Sequence, residues 1–297
     1  MYITQGRQGQ LGMWKYLPLP IAFILLMAAN YFVTDMLGAD VTEIIKQQIS
    51  AKGKNQFFAE NMIPFVFLLG GLFFWVRYVH QQSLLSLTTS RKKVDWGRVF
   101  FNFMIVGLFI AISTIISYYV SPEIYQINFE PASFFILAII SLLLVPIQTS
   151  FEEYFFRGYL MQGLGLAFKN KWIPLLVTSV LFGLMHIANP EVEKIGYIIM
   201  FYYIGTGLFL GIITLMDEGL ELALGFHAAN NLVTVLLITA DWTALQTDSI
   251  FLDISEPSAG FDVFLPLLIV FPIIFMVLSK KYGWSGWKNK LFGNIVP

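Results

Sequence analysis

The chain has 297 residues, of which 57% are hydrophobic and 12% are charged, and its formal net charge is -1. Soluble domains carry about 25% charged residues, so a water-soluble fold of this size could not hide so much apolar surface. The near-neutral charge argues against a nucleic-acid partner, since phosphate binding needs a clustered basic surface. Cysteine is absent, which excludes disulfides, a thiolate nucleophile and cysteine-ligated metals.

Long apolar runs predict an all-α fold, a polytopic transmembrane bundle of about eight spans. The predicted spans are Leu17–Leu37, Met62–Val79, Val99–Val120, Ala132–Gly163, Trp172–Ala188, Ile195–Met216, Leu220–Ala240 and Val263–Leu278. The polar start of the chain does not resemble a removable signal peptide, so we expect the first span to be retained. We divide the chain into N-terminal helices (1–131), a central core (132–240) and a final segment (241–297) with an outer loop, the last span and a tail.

The basic residues predict the orientation of the bundle. With a cytoplasmic N-terminus, the inner segments hold all the Lys and Arg residues except Lys46, Lys52, Lys54 and Lys194. The loop Asp241–Asp262 is acidic and contains neither Lys nor Arg. The positive-inside rule therefore predicts that both termini of this integral membrane protein are cytoplasmic.

Two adjacent carboxylates and an arginine interrupt the fourth predicted span. Glu153 and Arg157 are four residues apart, so they share a helix face and can pair. Glu152 lies about 100° round the helix and cannot use Arg157 equally well. Charges at bilayer depth are costly and mark functional sites, although a purely structural role in pinning two helices together is the alternative. The free carboxylate of Glu152 favours chemistry.

Histidine breaks the apolar pattern in two later spans, at His186 and at His227. A single histidine in an apolar helix is more often a packing residue than a ligand. However, His227 and Asn231 share a helix face at a spacing of four residues. Measured from the predicted span ends, Glu152, His186, His227 and Asn231 all fall in one layer of the membrane. We therefore expect these four side chains to meet around one polar cavity, with Glu153 pointing elsewhere, towards Arg157.

Such a group suits hydrolysis in two ways, and the residues alone do not choose between them. Glu152, His186 and His227 can bind Zn²⁺ with an open position for water. Alternatively, Glu152 deprotonates a water directly, without a cofactor, while His and Asn donors stabilise the oxyanion. The chain contains neither an HExxH helix nor a GxSxG serine elbow.

At these residues the sequence resembles the CPBP family of intramembrane peptidases, the CAAX protease and bacteriocin-processing group, also called Abi. The family pattern EExxxR matches Glu152, Glu153 and Arg157, FxxxH matches Phe182 and His186, and HxxxN matches His227 and Asn231. The resemblance implies that Glu152 activates the attacking water and that His186 assists it or binds a metal. It also implies that His227 and Asn231 hold the oxyanion or complete a metal shell, while Glu153 and Arg157 support the site.

The resemblance implies an endopeptidase that cleaves a peptide delivered from the bilayer or from its cytoplasmic face. Its partners would be membrane lipid and a peptide or protein substrate, with lipidated proteins as one substrate class. A non-catalytic immunity or binding protein that retains the fold is the first alternative. A proton-coupled transporter is the second, although the charges within spans cluster in the second half of the chain rather than in both halves.

Overall fold

The structure is a computed structural model that describes residues 1–36, 40–258, 260 and 263–296. The last residue of the first predicted span, Leu37, and the end of the predicted acidic loop, Asp262, lie outside these residues. The chain folds mainly into α-helices, as the apolar runs predict. The prediction of a helical membrane protein is confirmed.

The described residues form fourteen α-helices. In chain order they are α1 (Met13–Tyr16), α2 (Pro18–Met36), α3 (Val41–Lys52), α4 (Lys54–Phe74), α5 (Leu84–Thr88), α6 (Trp96–Val120), α7 (Pro131–Glu153), α8 (Met161–Phe168), α9 (Trp172–Leu184), α10 (Pro190–Ile195), α11 (Ile199–Asp217), α12 (Glu221–Leu237), α13 (Phe271–Tyr282) and α14 (Trp287–Phe292). Segments with π-helical hydrogen bonding lie at Trp75–Val79, Tyr154–Leu160 and Pro266–Val270, and 3-10 segments lie at Ile3–Gln8 and Pro122–Ile124.

Within the described residues, four helical stretches are long and apolar enough to cross a membrane. They are Lys54–Val79, Trp96–Val120, Pro131–Phe168 and Ile199–Asp217. Shorter apolar stretches occupy Pro18–Ala29, Trp172–Leu184 and Glu221–Leu237. The positions agree with the predicted spans, whereas the number of eight spans stays a prediction.

Close helix contacts surround the central core. Gly225 on α12 faces α6 so closely that an added Cβ would lie 2.2 Å from the backbone oxygen of Val99. Gly207 on α11 meets α9 in the same way, with 2.7 Å between a built Cβ and the oxygen of Ser179. Small residues permit such approach of helix backbones in membranes, where packing rather than water exclusion drives association. These contacts pack α12 against α6 and α11 against α9.

A small sheet closes one end of the bundle. Its strands are β1 (Tyr125–Ile127), β2 (Ile238–Ala240) and β3 (Phe251–Asp253), in the order β1-β3-β2. β1 and β3 are antiparallel, and β2 and β3 are parallel. The seventh predicted span is therefore wrong at its end, because α12 stops at Leu237 and the chain becomes extended. We call this end of the bundle the sheet end.

Both termini lie at the opposite end, which we call the terminal end. Arg7 donates a hydrogen bond of 2.6 Å to the backbone oxygen of Val296, and the Ile295 amide donates one of 2.8 Å to Lys169. The turn between α11 and α12 is at the same end, where Glu218 pairs with Lys290. The two termini and the segments that contain Lys169 and Lys290 thus lie on one side of the bundle.

The loop that carries Lys92 also lies at the terminal end, because its neighbour Arg91 pairs with Asp217 at 2.9 Å. Asp248 belongs to the sheet end and lies 3.9 Å from Lys54. We expect single cysteines at Lys92 and Asp248 to react with a membrane-impermeant maleimide from opposite sides, with Lys92 cytoplasmic. The chain has no native cysteine, so each label reports one position. Labelling of both positions from the same side would contradict the predicted topology.

Candidate active site

The core of the site is the last turn of α7, where Glu152 and Glu153 are both buried. The helix continues from there as the π-helical segment Tyr154–Leu160. Such segments insert an extra residue per turn and are frequent at functional sites. The buried hydrophobic cluster at this level contains aromatic side chains from three helices and the π-helical segment, including Phe151, Phe156, Phe182 and Phe226. The site is thus a polar group inside an apolar shell.

Glu153 pairs with two partners through a single oxygen. Its Oε1 lies 3.0 Å from Nη1 of Arg157 and 2.7 Å from Nδ1 of His227. The predicted pairing with Arg157 is therefore present, but the expectation that Glu153 points away from the other site residues is wrong. A carboxylate oxygen accepts hydrogen bonds, so Nδ1 of His227 carries the proton. Glu153 thereby fixes the orientation of His227 and leaves its Nε2 free for chemistry.

Arg157 is fully buried and joins three helices. Besides its pair with Glu153, it donates a hydrogen bond of 3.1 Å from Nη2 to the backbone oxygen of Gly207. The guanidinium carbon lies 4.2 Å from the centre of the Phe182 ring, in cation–π contact. The planar fork of arginine suits these simultaneous contacts better than a lysine ammonium.

Glu152 faces the other way from Arg157 and lies beside His227. Its Oε1 accepts a hydrogen bond of 2.5 Å from Nε2 of Gln148, one helical turn earlier. Its Oε2 lies 3.5 Å from Nε2 of His227 and has no hydrogen-bond partner among the described residues. This separation exceeds that of a direct hydrogen bond, and a water can join the two atoms.

A chain of amides connects Glu152 to α12. Asn231 donates a hydrogen bond of 3.1 Å to Oε1 of Gln148, and Asn230 donates one of 3.1 Å to Oδ1 of Asn231. Gln148 was missed in the sequence, although an amide four residues before Glu152 on an apolar helix was a usable signal. Its side chain forms a hydrogen bond with each of Glu152 and Asn231 and so links the two residues.

His186 occupies a turn rather than a membrane helix. The fifth predicted span is too long, because α9 ends at Leu184 and His186 follows it. Its Nδ1 donates a hydrogen bond of 2.9 Å to the backbone oxygen of Phe182, and its ring stacks on Tyr203 with 4.3 Å between ring centres. His186 therefore joins the site through the cavity that it shares with the other residues.

The four predicted residues, Glu152, His186, His227 and Asn231, line one cavity of about 410 Å³. This convergence is what the depth argument predicts. The cavity continues past Asn231 to the sheet end, where Asp253 forms part of its wall. The site thus communicates with the end of the bundle that is opposite the termini.

A metal site was one of the two open chemistries. The tautomers argued above leave Nε2 of His186 and of His227 as acceptors, which are suitable donor atoms for Zn²⁺. Among the described residues, however, no three His, Asp or Glu side chains come together as a group that could hold an ion. The choice between a zinc ion and Glu152 acting without a metal therefore stays a prediction.

Comparison with known proteins places this site in a family. Residues 131–233 match the family described as type II CAAX prenyl endopeptidase, Rce1-like. This segment belongs to the CAAX protease family. The CAAX protease match begins with α7 and ends within α12, so it contains the four cavity residues, Glu153 and Arg157. The resemblance seen in the three motifs is confirmed, whereas the individual roles of the residues stay predictions.

Proteins similar to this chain include one from Bacillus subtilis (strain 168), described as uncharacterized protein YyaK. It is 33% identical over 178 residues, which are 60% of this chain and 60% of that protein. The chain thus matches less than two thirds of the relative's length. No solved structure matches this chain. The domain boundaries at 131 and 240 stay a prediction.

The double contact of Glu153 leads to a test. We expect Glu153→Gln to lower kcat for peptide hydrolysis about 10²-fold, because a neutral amide no longer fixes the tautomer of His227. KM should change little, since Glu153 does not face the cavity. The measurement is steady-state kinetics on the purified protein, with Glu130→Gln, an exposed position at the start of α7, as the control. An unchanged kcat in a folded variant would contradict the orienting role.

Proposed function

We propose that this protein is an intramembrane endopeptidase in which Glu152 activates a water for attack on a peptide bond. The observation that carries the proposal is that Oε2 of Glu152 has no hydrogen-bond partner among the described residues and lies 3.5 Å from Nε2 of His227, with both residues lining the cavity. A water between them donates one hydrogen to each atom. Its oxygen lone pair is then available to a carbonyl carbon in the cavity.

The reaction uses Glu152 first as a base and then as an acid. Glu152 accepts a proton from the water as the oxygen attacks the carbonyl carbon, and the carbonyl π electrons move onto its oxygen. The tetrahedral intermediate then collapses, and Glu152 returns the proton to the leaving nitrogen as the C–N bond breaks. The products are a carboxylic acid and an amine, so atoms and charge balance.

The other side chains position the substrate and stabilise the intermediate. The amide of Asn231 has a second N–H beyond its bond to Gln148, and this N–H serves the oxyanion. His186 presents Nε2 to the substrate because its Nδ1 is engaged by Phe182. Each of these groups is held by a hydrogen bond or a ring contact, which is the preorganisation that transition-state stabilisation requires.

The direction of the cavity bears on how substrate arrives. It leads to the sheet end, and the predicted topology puts that end on the outer side of the membrane. This favours a peptide that enters from the outer side or from the bilayer, in place of the cytoplasmic delivery suggested by the family resemblance. A lipidated cytoplasmic protein is correspondingly a less suitable substrate than a translocated peptide.

A metal-free assay tests the proposal. We expect the purified protein in lipid nanodiscs to cleave a degenerate peptide mixture after chelation, with metal content checked by mass spectrometry, because in the proposed mechanism Glu152 itself takes the proton from the water. New peptide termini are read by mass spectrometry. Loss of activity on chelation and its return with Zn²⁺ would establish the metal chemistry instead. If the protein retained peptides without cleaving them, the non-catalytic binding alternative would replace the peptidase.

A further inference from the structure

The proposed mechanism leaves the outer part of the cavity without a role. This part, which we call the outer chamber, lies between the turn before α10, the start of α11 and the segment after β2. Its walls include Asn189, Glu191, Tyr202, Trp242 and Asp253. It is continuous with the space around Glu152, so part of a peptide bound at the site can lie in it.

Glu191 is the distinctive residue of the outer chamber. Its Oε1 accepts a hydrogen bond of 3.0 Å from the backbone amide of Ala244. Its Oε2 is buried and has no partner among the described residues. Burial raises the pKa of Glu191, which lies in a loop helix outside the membrane-spanning segments. A buried carboxylate oxygen without a partner is costly, and a bound cation or donor would relieve that cost.

The surroundings of Glu191 favour a cation. The described residues that line the cavity include the carboxylates Glu152, Glu191 and Asp253 and neither Lys nor Arg. The nearby Lys194 is 3.7 Å from Glu193 and does not line the cavity. The rings of Tyr202 and Trp242 add aromatic faces to the same walls, and such faces attract guanidinium and ammonium groups.

We propose that Glu191 is a specificity residue that binds the positively charged side chain of a Lys or Arg in the peptide substrate. This inference rests on the proposed peptidase function and adds a substrate class to it. The guanidinium or ammonium group donates to Oε2 of Glu191 and lies against the aromatic wall. The negative charge of Asp253 further along the cavity attracts the same group.

The helix geometry gives the position of this residue in the substrate. Asn231, the proposed oxyanion donor, is followed by six more residues of α12 up to Leu237, a rise of roughly 9 Å, and residues 238–240 directly after the helix line the cavity together with Glu191. An extended peptide covers about 3.3 Å per residue. The basic side chain therefore belongs about three residues from the bond that is cleaved.

Charge replacement in the substrate provides the first experiment. Two degenerate peptide mixtures are compared, identical except that one fixed position carries arginine or its uncharged analogue citrulline. We expect wild-type protein to cleave the arginine mixture with about tenfold higher kcat/KM, at bonds about three residues from that position. Glu191→Gln removes this difference, and Glu193→Gln, an exposed change on the same short helix, retains it. Equal cleavage of both mixtures by wild type, or an unchanged preference in Glu191→Gln, would overturn the proposal.

A binding experiment separates this proposal from the peptidase function. The Glu152→Gln protein, which keeps the outer chamber, is titrated with fluorescent forms of the same two mixtures. We expect about tenfold tighter binding of the arginine mixture, and no difference after the additional change Glu191→Gln. If the wild-type protein cleaves neither mixture but Glu152→Gln still binds the arginine mixture more tightly, the peptidase function fails and the cation subsite stands. If peptides are cleaved and bound without charge preference, the subsite fails and the peptidase stands.

Discussion

Replacing Glu152 by Gln should lower kcat for peptide hydrolysis about 10³-fold or more. The amide has nearly the same shape as the carboxylate but cannot take a proton from water, so the general base is lost while packing is kept. Oε1 already accepts from Gln148, and the oxygen of the new amide can keep that bond. The measurement is single-turnover cleavage in nanodiscs, with thermal unfolding followed in parallel to show that the fold is intact.

A second substitution tests whether Glu152 and His227 act together. His227→Ala removes the other atom that faces the water, and we expect the double variant with Glu152→Gln to be scarcely slower than either single variant. Residues that act as one unit give non-additive losses, since removing the second partner costs little once the first is gone. Glu123→Gln, an exposed carboxylate at the sheet end, provides the matched control and should retain activity. Equal cleavage by wild type and Glu152→Gln would remove Glu152 from the mechanism.

Arg157→Met should lower the free energy of unfolding by about 3 to 5 kcal/mol, the cost of leaving a buried charge without its partner. Glu153 is fully buried, and Arg157 is its only cationic partner among the described ion pairs other than His227. The change also removes the hydrogen bond to Gly207 and the contact with Phe182. Unfolding in a denaturing detergent, followed by circular dichroism, provides the measurement.

The origin of this loss can be separated by a double variant. If the unpaired carboxylate is responsible, Arg157→Met with Glu153→Gln should recover part of the lost stability, because a neutral amide costs less to bury. Recovery of about 1 to 3 kcal/mol is expected on this ground. A double variant that is less stable than Arg157→Met alone would show that lost packing, rather than lost charge balance, dominates.

The sequence was sufficient for interactions within one helix and for the depth of each polar residue. Glu153 and Arg157 pair as their spacing of four residues predicts. The meeting of Glu152 with His227 followed from the rise per residue along two antiparallel membrane helices. Such statements need only helix geometry, which an apolar run in a membrane fixes strongly.

Contacts between helices were harder to predict from the sequence, because they depend on how each helix is rotated about its axis. For example, Gly225, two residues before His227, has no side chain and allows α12 to approach the backbone of Val99 on α6. Nothing in the spacing of His227 and Asn231 gives that rotation. The hydrogen bond from Nδ1 of His227 to Glu153 was therefore not predicted.

The sheet end escaped prediction for a different reason. Residues 238–240 are as apolar as the helix before them, and a hydropathy pattern cannot distinguish the last turn of a span from a short buried strand. Residues 238–240 form a strand because β2 pairs with β3, and β3 lies eleven residues further along the chain. Thr239, Ala240 and Asp253 of these strands line the cavity, so its extension to the sheet end was also invisible in the sequence.

That direction has a pharmacological consequence under the predicted topology. An inhibitor of an enzyme whose site opens to the cytoplasm must first permeate the bilayer, which restricts its size and charge. The cavity here leads from Glu152 to the sheet end, away from both termini. Compounds that cannot cross membranes, including charged peptidomimetics, would therefore reach this site in intact cells.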